Sequence, residues 1–200
     1  MNPYVGPHAA EYARQTRDLD LSPLRDRFLA RVRERVPDAP PHILDVGCGS
    51  GRDARAFLEA GCTVEAMDAS PDLARLAEEH TGIPVDVLRV QELDRHRDFH
   101  GIWACASLLH VPWAELPDVF RRLERALHPE GALYASFQLG EGERTVGERH
   151  FTDLNRARLE DRTPEATGLR VAETWVTPDV RPEREDVQWF NALLERAASG

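Results

Sequence analysis

Apolar residues fall at two spacings along this chain. In LSPLRDRFLARVRERV, Leu24, Phe28, Val32 and Val36 recur every four positions, which predicts an amphipathic helix. Ser22-Pro23 is a fitting start, and Pro37, Pro40 and Pro41 end it. Upstream, Pro3 to Asp20 is polar, with a short helical stretch over Ala9–Arg17. Downstream, strand-like and helix-like segments alternate. His42–Val46, Thr63–Asp68, Val85–Val90, Gly101–Ala106 and Ala132–Phe137 read as strands. Asp53–Ala60, Pro71–His80 and Glu115–Leu127 read as helices. In the last of these, Leu116, Val119, Phe120, Leu123 and Leu127 form one stripe, and His128-Pro129-Glu130-Gly131 stops it. Such alternation predicts crossover units and a parallel sheet. Thr152–Asp161 suggests one more helix. Leu169–Thr177 and Asp186–Leu194 read as a closing antiparallel hairpin, or as a strand and a helix.

Composition narrows the class. The chain has 200 residues, 42% apolar and 30% charged, enough for one domain with a substantial core. Residues 1–36 are expected to form a helical lid and first helix, and residues 37–200 the core. No apolar window is long enough to span a membrane, and no signal pattern opens the sequence, so a cytoplasmic location is expected. Cys48, Cys62 and Cys105 form no C-x-x-C, which disfavours a disulfide framework or zinc site. The eight histidines show no H-x-H spacing and one H-x-x-x-H pair, His96 and His100, outside any predicted helix, so no metal is expected. The formal charge of −10 disfavours nucleic acid as a partner. All 25 basic residues are arginine, which excludes any mechanism needing a lysine amine.

The sharpest feature is ILDVGCGSGRD, residues 43–53, a strand running into a glycine-rich turn and then a helix. Alternating glycines let backbone approach a ligand closely, and in an open α/β sheet ligands sit at the carboxyl ends of the strands. A dinucleotide would prefer G-x-G-x-x-G, with its diphosphate on the helix N-terminus; this loop is G-x-G-x-G, flanked by Asp45 and Asp53. Two carboxylates would repel a phosphate and suit a cationic nucleoside such as S-adenosylmethionine. Asp68 ends the second strand, 17 positions after Gly51, an offset at which a carboxylate accepts both ribose hydroxyls. Ser70 has the better claim to cap the next helix.

These residues resemble class I S-adenosylmethionine-dependent methyltransferases, within them the group near the tellurite-resistance type. ILDVGCGSGRDA is similar to motif I, AMDAS to the acidic ribose motif, FHGIWACASLLHVP to the fourth-strand motif and HPEGALYASF to the fifth-strand region. The resemblance implies a Rossmann-like three-layer α/β sandwich with a mostly parallel seven-stranded sheet of order 3-2-1-4-5-7-6, strand 7 antiparallel. It also implies a site. Gly47, Cys48, Gly49 and Ser50 would surround the methionine portion, with Arg52 beside them, and Asp45 would orient the loop or meet the amine. Asp68 would hold the ribose, with Ala69 and Ser70 along the adenine and Gln91, Glu92 and Leu93 at its edge. Ala104, Cys105 and Ala106 would lie beneath the sulfonium, and Tyr4, Tyr12 and Thr16 would form a lid. The chain departs from the pattern at His100 (usually Asp), Glu130 (usually Gly) and Gln138 (expected Lys); the last sits where acceptor could bind.

Methyl transfer needs no metal or protein nucleophile, because the cofactor carries the activated group. The protein must align the acceptor and, for weakly acidic acceptors, remove a proton. His110, just past the fourth strand, is the foremost candidate base; a packed turn histidine is an equal reading. Glu141, Glu143, Arg144 and Arg149 read as a polar loop that either faces acceptor or is simply solvated, and His150 and Phe151 are weaker candidates. Trp113, Trp175 and Trp189 suit aromatic walls, although packing explains them as well. The expected partner is a small-molecule methyl acceptor. The alternatives are a non-catalytic S-adenosylmethionine-binding module and a nicotinamide-dependent oxidoreductase.

Overall fold

The computed structural model describes residues 6–38, 40–163 and 167–197. Nine strands and six helices follow the predicted alternation. They are α1 (Pro7–Thr16), α2 (Ser22–Arg35), β1 (His42–Val46), α3 (Arg52–Glu59), β2 (Thr63–Asp68), α4 (Pro71–Thr81), β3 (Val85–Val87), β4 (Phe99–Ala104), α5 (Leu116–Ala126), β5 (Leu127–Gln138), β6 (Gly142–Val146), β7 (Arg149–Asp153), α6 (Arg156–Arg162), β8 (Leu169–Pro178) and β9 (Gln188–Arg196). Seven strands form one sheet in the order β3-β2-β1-β4-β5-β9-β8, and β6 pairs only with β7. Neighbours from β3 to β5 are parallel, whereas β9 runs antiparallel to both β5 and β8. Counted within the sheet, this is the expected order, with the closing hairpin in place.

Side-chain alternation along each strand divides the core between two faces. Leu44, Ile102 and Leu133 join α5, α6 and β7 on one face. Ile43, Trp103 and Tyr134 join α2, α3 and α4 on the other. The Trp103 and Tyr134 rings stack at 4.0 Å. Gly101 lets α2 press onto β4, since a Cβ there would lie 2.6 Å from both Phe28 Cζ and Ile43 Cδ1. Buried charge is paired on this face. Glu195, fully buried on β9, takes guanidinium contacts from Arg31 and Arg35 of α2 and Arg170 of β8. Removing either side of such a cluster would strand a buried charge.

Several boundaries move. Ser22 is the first helical residue of α2 rather than its cap, and Asp20 accepts from its N–H. The third strand stops at Val87, and Val90–Glu92 form a 3₁₀ turn. The fourth runs from Phe99 to Ala104, leaving Cys105 and Ala106 beyond its end. The largest correction lies after β5, where the expected polar loop is the β6–β7 hairpin and the expected helix over Thr152–Asp161 is the end of β7 followed by α6. β6 buries none of its residues, so it carries no alternation to read. Asn155 caps α6 by accepting from Arg158 N at 3.0 Å.

Candidate functional site

The carboxyl ends of β1, β2 and β4 open into a cleft of about 530 Å³, closed on one side by α1 and on another by the β6–β7 hairpin. The glycine loop forms its floor. Gly47, at φ 71°, passes against Ser107: a Cβ there would lie 2.6 Å from Ser107 Cβ. Gly49, at φ 58°, lies under Tyr12 of α1, and a Cβ would meet the ring at 3.3 Å. The N–H groups of Gly47 and Cys48 both donate to Met67 O, at 2.8 and 3.0 Å, tying the loop to the end of β2. Gly51 faces away from the cleft, pressed between Ala77 and Thr81 of α4.

Asp68 lines the cleft. Its carboxylate accepts from Gly49 N at 2.9 Å and Ser70 N at 2.8 Å, and burial outweighs these bonds to raise its pKa. Met67, Ala69, Leu73, Leu88 and Val90 add apolar wall around it, with Arg89 and Gln91 at the edge. Opposite, Ala106 adopts φ 51°, a conformation L-residues avoid, held by its N–H donating to Ser136 Oγ at 2.8 Å. Ser107, next in line, carries a buried hydroxyl with no hydrogen-bond partner among the described residues.

His110 lines the cleft beside the β6–β7 hairpin. Its Nδ1 lies 2.7 Å from His150 O. A carbonyl can only accept, so Nδ1 carries the proton and Nε2 is the basic nitrogen of the neutral ring. Burial lowers its pKa, Arg149 and His150 lower it further, and the bond to the His150 carbonyl partly offsets them. The ring packs edge-on to Phe151 at 5.0 Å. Thr152 Oγ1 donates to Val111 O at 2.7 Å, fastening β7 to the turn that bears His110.

Of the residues expected at the site, Tyr12, Gly47, Gly49, Asp68, Ala69, Gln91, Ala106 and His110 line this cleft. Tyr4 lies outside the described residues. The others lie off this lining, with their side chains engaged elsewhere. Asp45 is buried behind the loop, where desolvation first, and the nearby Asp53 charge second, raise its pKa far above the carboxylate range. Asp53 is buried too, neutralised by Arg25 at 2.8 Å and Arg52 at 2.6 Å and bonded to Trp103 Nε1 at 3.0 Å. Arg52 is therefore committed to Asp53 and to Thr16 O. This corrects the electrostatic expectation: of the acids around the loop, Asp68 alone reaches the cleft. Ser50 is buried against Thr16 Oγ1 at 3.3 Å. Cys48 packs in the core beneath the loop. Ser70 is a fully buried helix cap, accepting from Leu73 N at 3.2 Å. Glu92 caps its own 3₁₀ turn by accepting from Arg89 N, and Leu93 is core. Ala104 is buried inside β4. The Cys105 thiol, pushed up to about 12 by burial, is inert.

The three tryptophans lie outside the cleft lining. Arg158 and Arg162 cover Trp113, Arg27 covers Trp175, and Trp189 Nε1 donates to Asp179. Glu141 bonds Asn155, and Arg144 bonds Asp153. Glu148, Arg149 and His150 do reach the cleft. Sequence reasoning missed Val46, Met67, Leu73, Leu88, Arg89, Val90, Ser107, Leu108, Val111 and Glu148, most of them apolar. Among the described residues no cluster of His, Cys, Asp and Glu could hold a metal, and no helix is long and apolar enough to cross a membrane.

Comparison with known proteins agrees with this geometry. The methyltransferase domain family matches residues 43–131, from β1 to the start of β5. A ubiquinone biosynthesis O-methyltransferase of Xylella fastidiosa is 34% identical over 125 residues, 58% of this chain and 48% of that protein. One from Xanthomonas axonopodis is 32% identical over 123 residues, 58% of this chain and 49% of that protein. The chain thus spans about half the length of the curated relatives it matches. Among solved structures, an S-adenosylmethionine-dependent methyltransferase from Methanosarcina mazei is similar at TM-score 0.73 and 18% identity, over 90% of this chain and 100% of that one. The Burkholderia thailandensis 1,6-didemethyltoxoflavin-N1-methyltransferase, with bound 1,6-didemethyltoxoflavin and S-adenosylhomocysteine, is similar at TM-score 0.68 and 21% identity, over 98% of this chain and 93% of that one. Residues 43–131 thus carry a methyltransferase domain match, and the fold is the one these S-adenosylmethionine-dependent methyltransferase structures share.

Proposed function

We propose that the protein transfers a methyl group from S-adenosylmethionine to a hydroxyl oxygen of a small-molecule acceptor, with His110 as general base. The cleft suits the cofactor. Gly47 and Gly49 leave a cradle that side chains would fill, and Ser107 offers it an unsatisfied hydroxyl. Asp68 would take the ribose, Leu88 and Val90 would flank the adenine, and Gln91 would meet its edge. When bound, the cofactor supplies an electrophilic methyl group on a sulfonium.

The observation that carries the acceptor half is the 2.7 Å bond from His110 Nδ1 to His150 O. It fixes the tautomer and ring orientation, leaving Nε2 as the proton acceptor. Burial lowers its pKa and so favours the neutral ring. A positioned base serves a weakly acidic hydroxyl, because loss of its proton makes the oxygen a better nucleophile. The relatives' names, O-methyltransferases, favour the same chemistry.

His110→Asn should lower kcat by about 10²–10⁴-fold, the usual contribution of a general base, and leave S-adenosylhomocysteine affinity unchanged. The pH profile supplies the sign check. The base must be neutral and its pKa is lowered, so kcat/KM should rise with pH and reach half its plateau below about 6.5, the ordinary histidine value. A variant with wild-type kcat, or an acid limb centred above that value, removes His110 from the chemistry.

A further inference from the structure

β6 buries none of its residues, yet one of them reaches the turn that carries His110. Glu143 Oε1 accepts from Trp113 N at 2.8 Å, and the same oxygen lies 3.2 Å from His150 Nε2. Across the hairpin Glu143 pairs directly with Thr152, and His150 stands two residues before Thr152 on β7. The three side chains therefore share one face of the hairpin. The protons on that face can be placed. Thr152 Oγ1 donates to Val111 O at 2.7 Å, which uses its one hydrogen. Toward His150 Nε2, 3.1 Å away, that oxygen can then only accept, so Nε2 carries the proton and points it at Thr152 Oγ1 and the Glu143 carboxylate.

The turn is thus tied to the hairpin three times. His110 Nδ1 donates to His150 O, Val111 O accepts from Thr152, and Trp113 N donates to Glu143. The residue between, Pro112, has no N–H, and its carbonyl takes Glu115 N and Leu116 N at the start of α5. Of the three ties, the one through Glu143 is charge-assisted, the stronger kind of hydrogen bond, and it alone joins the turn to both strands of the hairpin. With 42% of its side chain exposed, Glu143 can be replaced without opening the core.

We propose that Glu143 is a positioning residue for His110. By holding Trp113 and His150 on one oxygen, it fixes the spacing between the turn and β7 and so keeps the His150 carbonyl on the Nδ1–H of His110. That bond sets the tautomer and the angle of the ring, and without Glu143 the constraint is weakened. That the ring so held acts as the base rests on the methyl-transfer reading above.

The test reads the ring itself, by nitrogen NMR of the full chain with isotope-labelled histidine. The pH is set well above the ordinary histidine value of about 6.5, where the ring is neutral. The His110 signals are those missing from His110→Asn, and in the wild type they should show Nδ1 protonated. In Glu143→Ala the ratio of the Nδ1–H to the Nε2–H form should fall about fivefold or more, the worth of one neutral hydrogen bond. Glu143→Gln keeps an oxygen for the Trp113 N–H and should recover part of that ratio. Glu141→Ala removes the neighbouring bond to Asn155 and should leave the ratio unchanged, which separates positioning from a general loosening of the hairpin. A wild-type ring protonated on Nε2, a wild-type ratio in Glu143→Ala, an equal loss in Glu141→Ala, or no recovery in Glu143→Gln would each overturn the proposal. The spectrum needs no turnover, so wild-type kcat in His110→Asn would remove the catalytic reading and leave this one standing.

Discussion

The two walls of the cleft are built from different materials. On the proposed cofactor side, the loop between β1 and α3 presents backbone, Gly47 and Gly49 at positive φ, with the Asp68 side chain bracing the turn and Val46 and Met67 beside it. On the acceptor side, the β6–β7 hairpin presents side chains, Glu148, Arg149 and His150, over a turn carrying His110. The first wall is set by chain geometry that only a few residue types can satisfy. The second is set by which side chains a short, half-exposed hairpin happens to carry. A fold can therefore keep one cofactor while its hairpin changes the acceptor.

Three measurements would break or sharpen this contrast. The largest effect is expected at Gly47→Ala, where the new Cβ would lie 2.6 Å from Ser107 Cβ at φ 71°. Left-handed backbone costs about 1–2 kcal/mol and overpacking about 1–3 kcal/mol more. S-adenosylhomocysteine binding should be lost and Tm lowered; wild-type affinity and Tm would show that the loop has room to spare. Next, Asp68→Asn removes a charged acceptor and should weaken S-adenosylhomocysteine binding by about 1.5–3 kcal/mol. Calorimetry that finds no change would detach Asp68 from the ribose. The smallest effect is expected at Thr152→Val, which leaves Val111 O without its donor. It should cost about 1 kcal/mol of stability and loosen the hairpin, lowering kcat while leaving cofactor affinity alone. A fall in cofactor affinity instead would mean that the two walls are not separable.

The contrast also explains what was legible in the sequence. Strand and helix periods gave the alternating elements and the parallel sheet, with Ile43/Leu44, Ile102/Trp103 and Leu133/Tyr134 alternating between two cores, while the order of the strands came from the family resemblance. The glycine spacing located the cofactor wall, and the Pro71 and Ser70 signals placed the cap of α4. The electrostatic argument from Asp45 and Asp53 rested on a placement that the structure corrects. A sequence shows that acids flank a loop but not that they lie behind it, one pushed toward its neutral form and the other paired with Arg25 and Arg52. The hairpin was illegible for a related reason. β6 buries nothing, so its pairing with β7 leaves no apolar alternation, and the bond from His110 to His150 spans 40 positions. Cleft residues such as Leu88 and Val90 were hidden because an apolar residue just past a strand looks the same whether it meets core or cleft.

The position of β9 between β5 and β8 bears on how the molecule is assembled. β8 precedes β9 in the chain, yet its only neighbour in the sheet is β9. During synthesis, then, β8 emerges with nowhere to dock, and the edge of β5, with Leu133 and Phe137 fully buried in the finished protein, stays open until residues 188–196 arrive. An open apolar strand edge is a template for pairing with another chain. The interval between translating the hairpin's first strand and its second is thus the stage at which this protein is most exposed to misassembly, and the Glu195 cluster with Arg31, Arg35 and Arg170 is the latch that closes it.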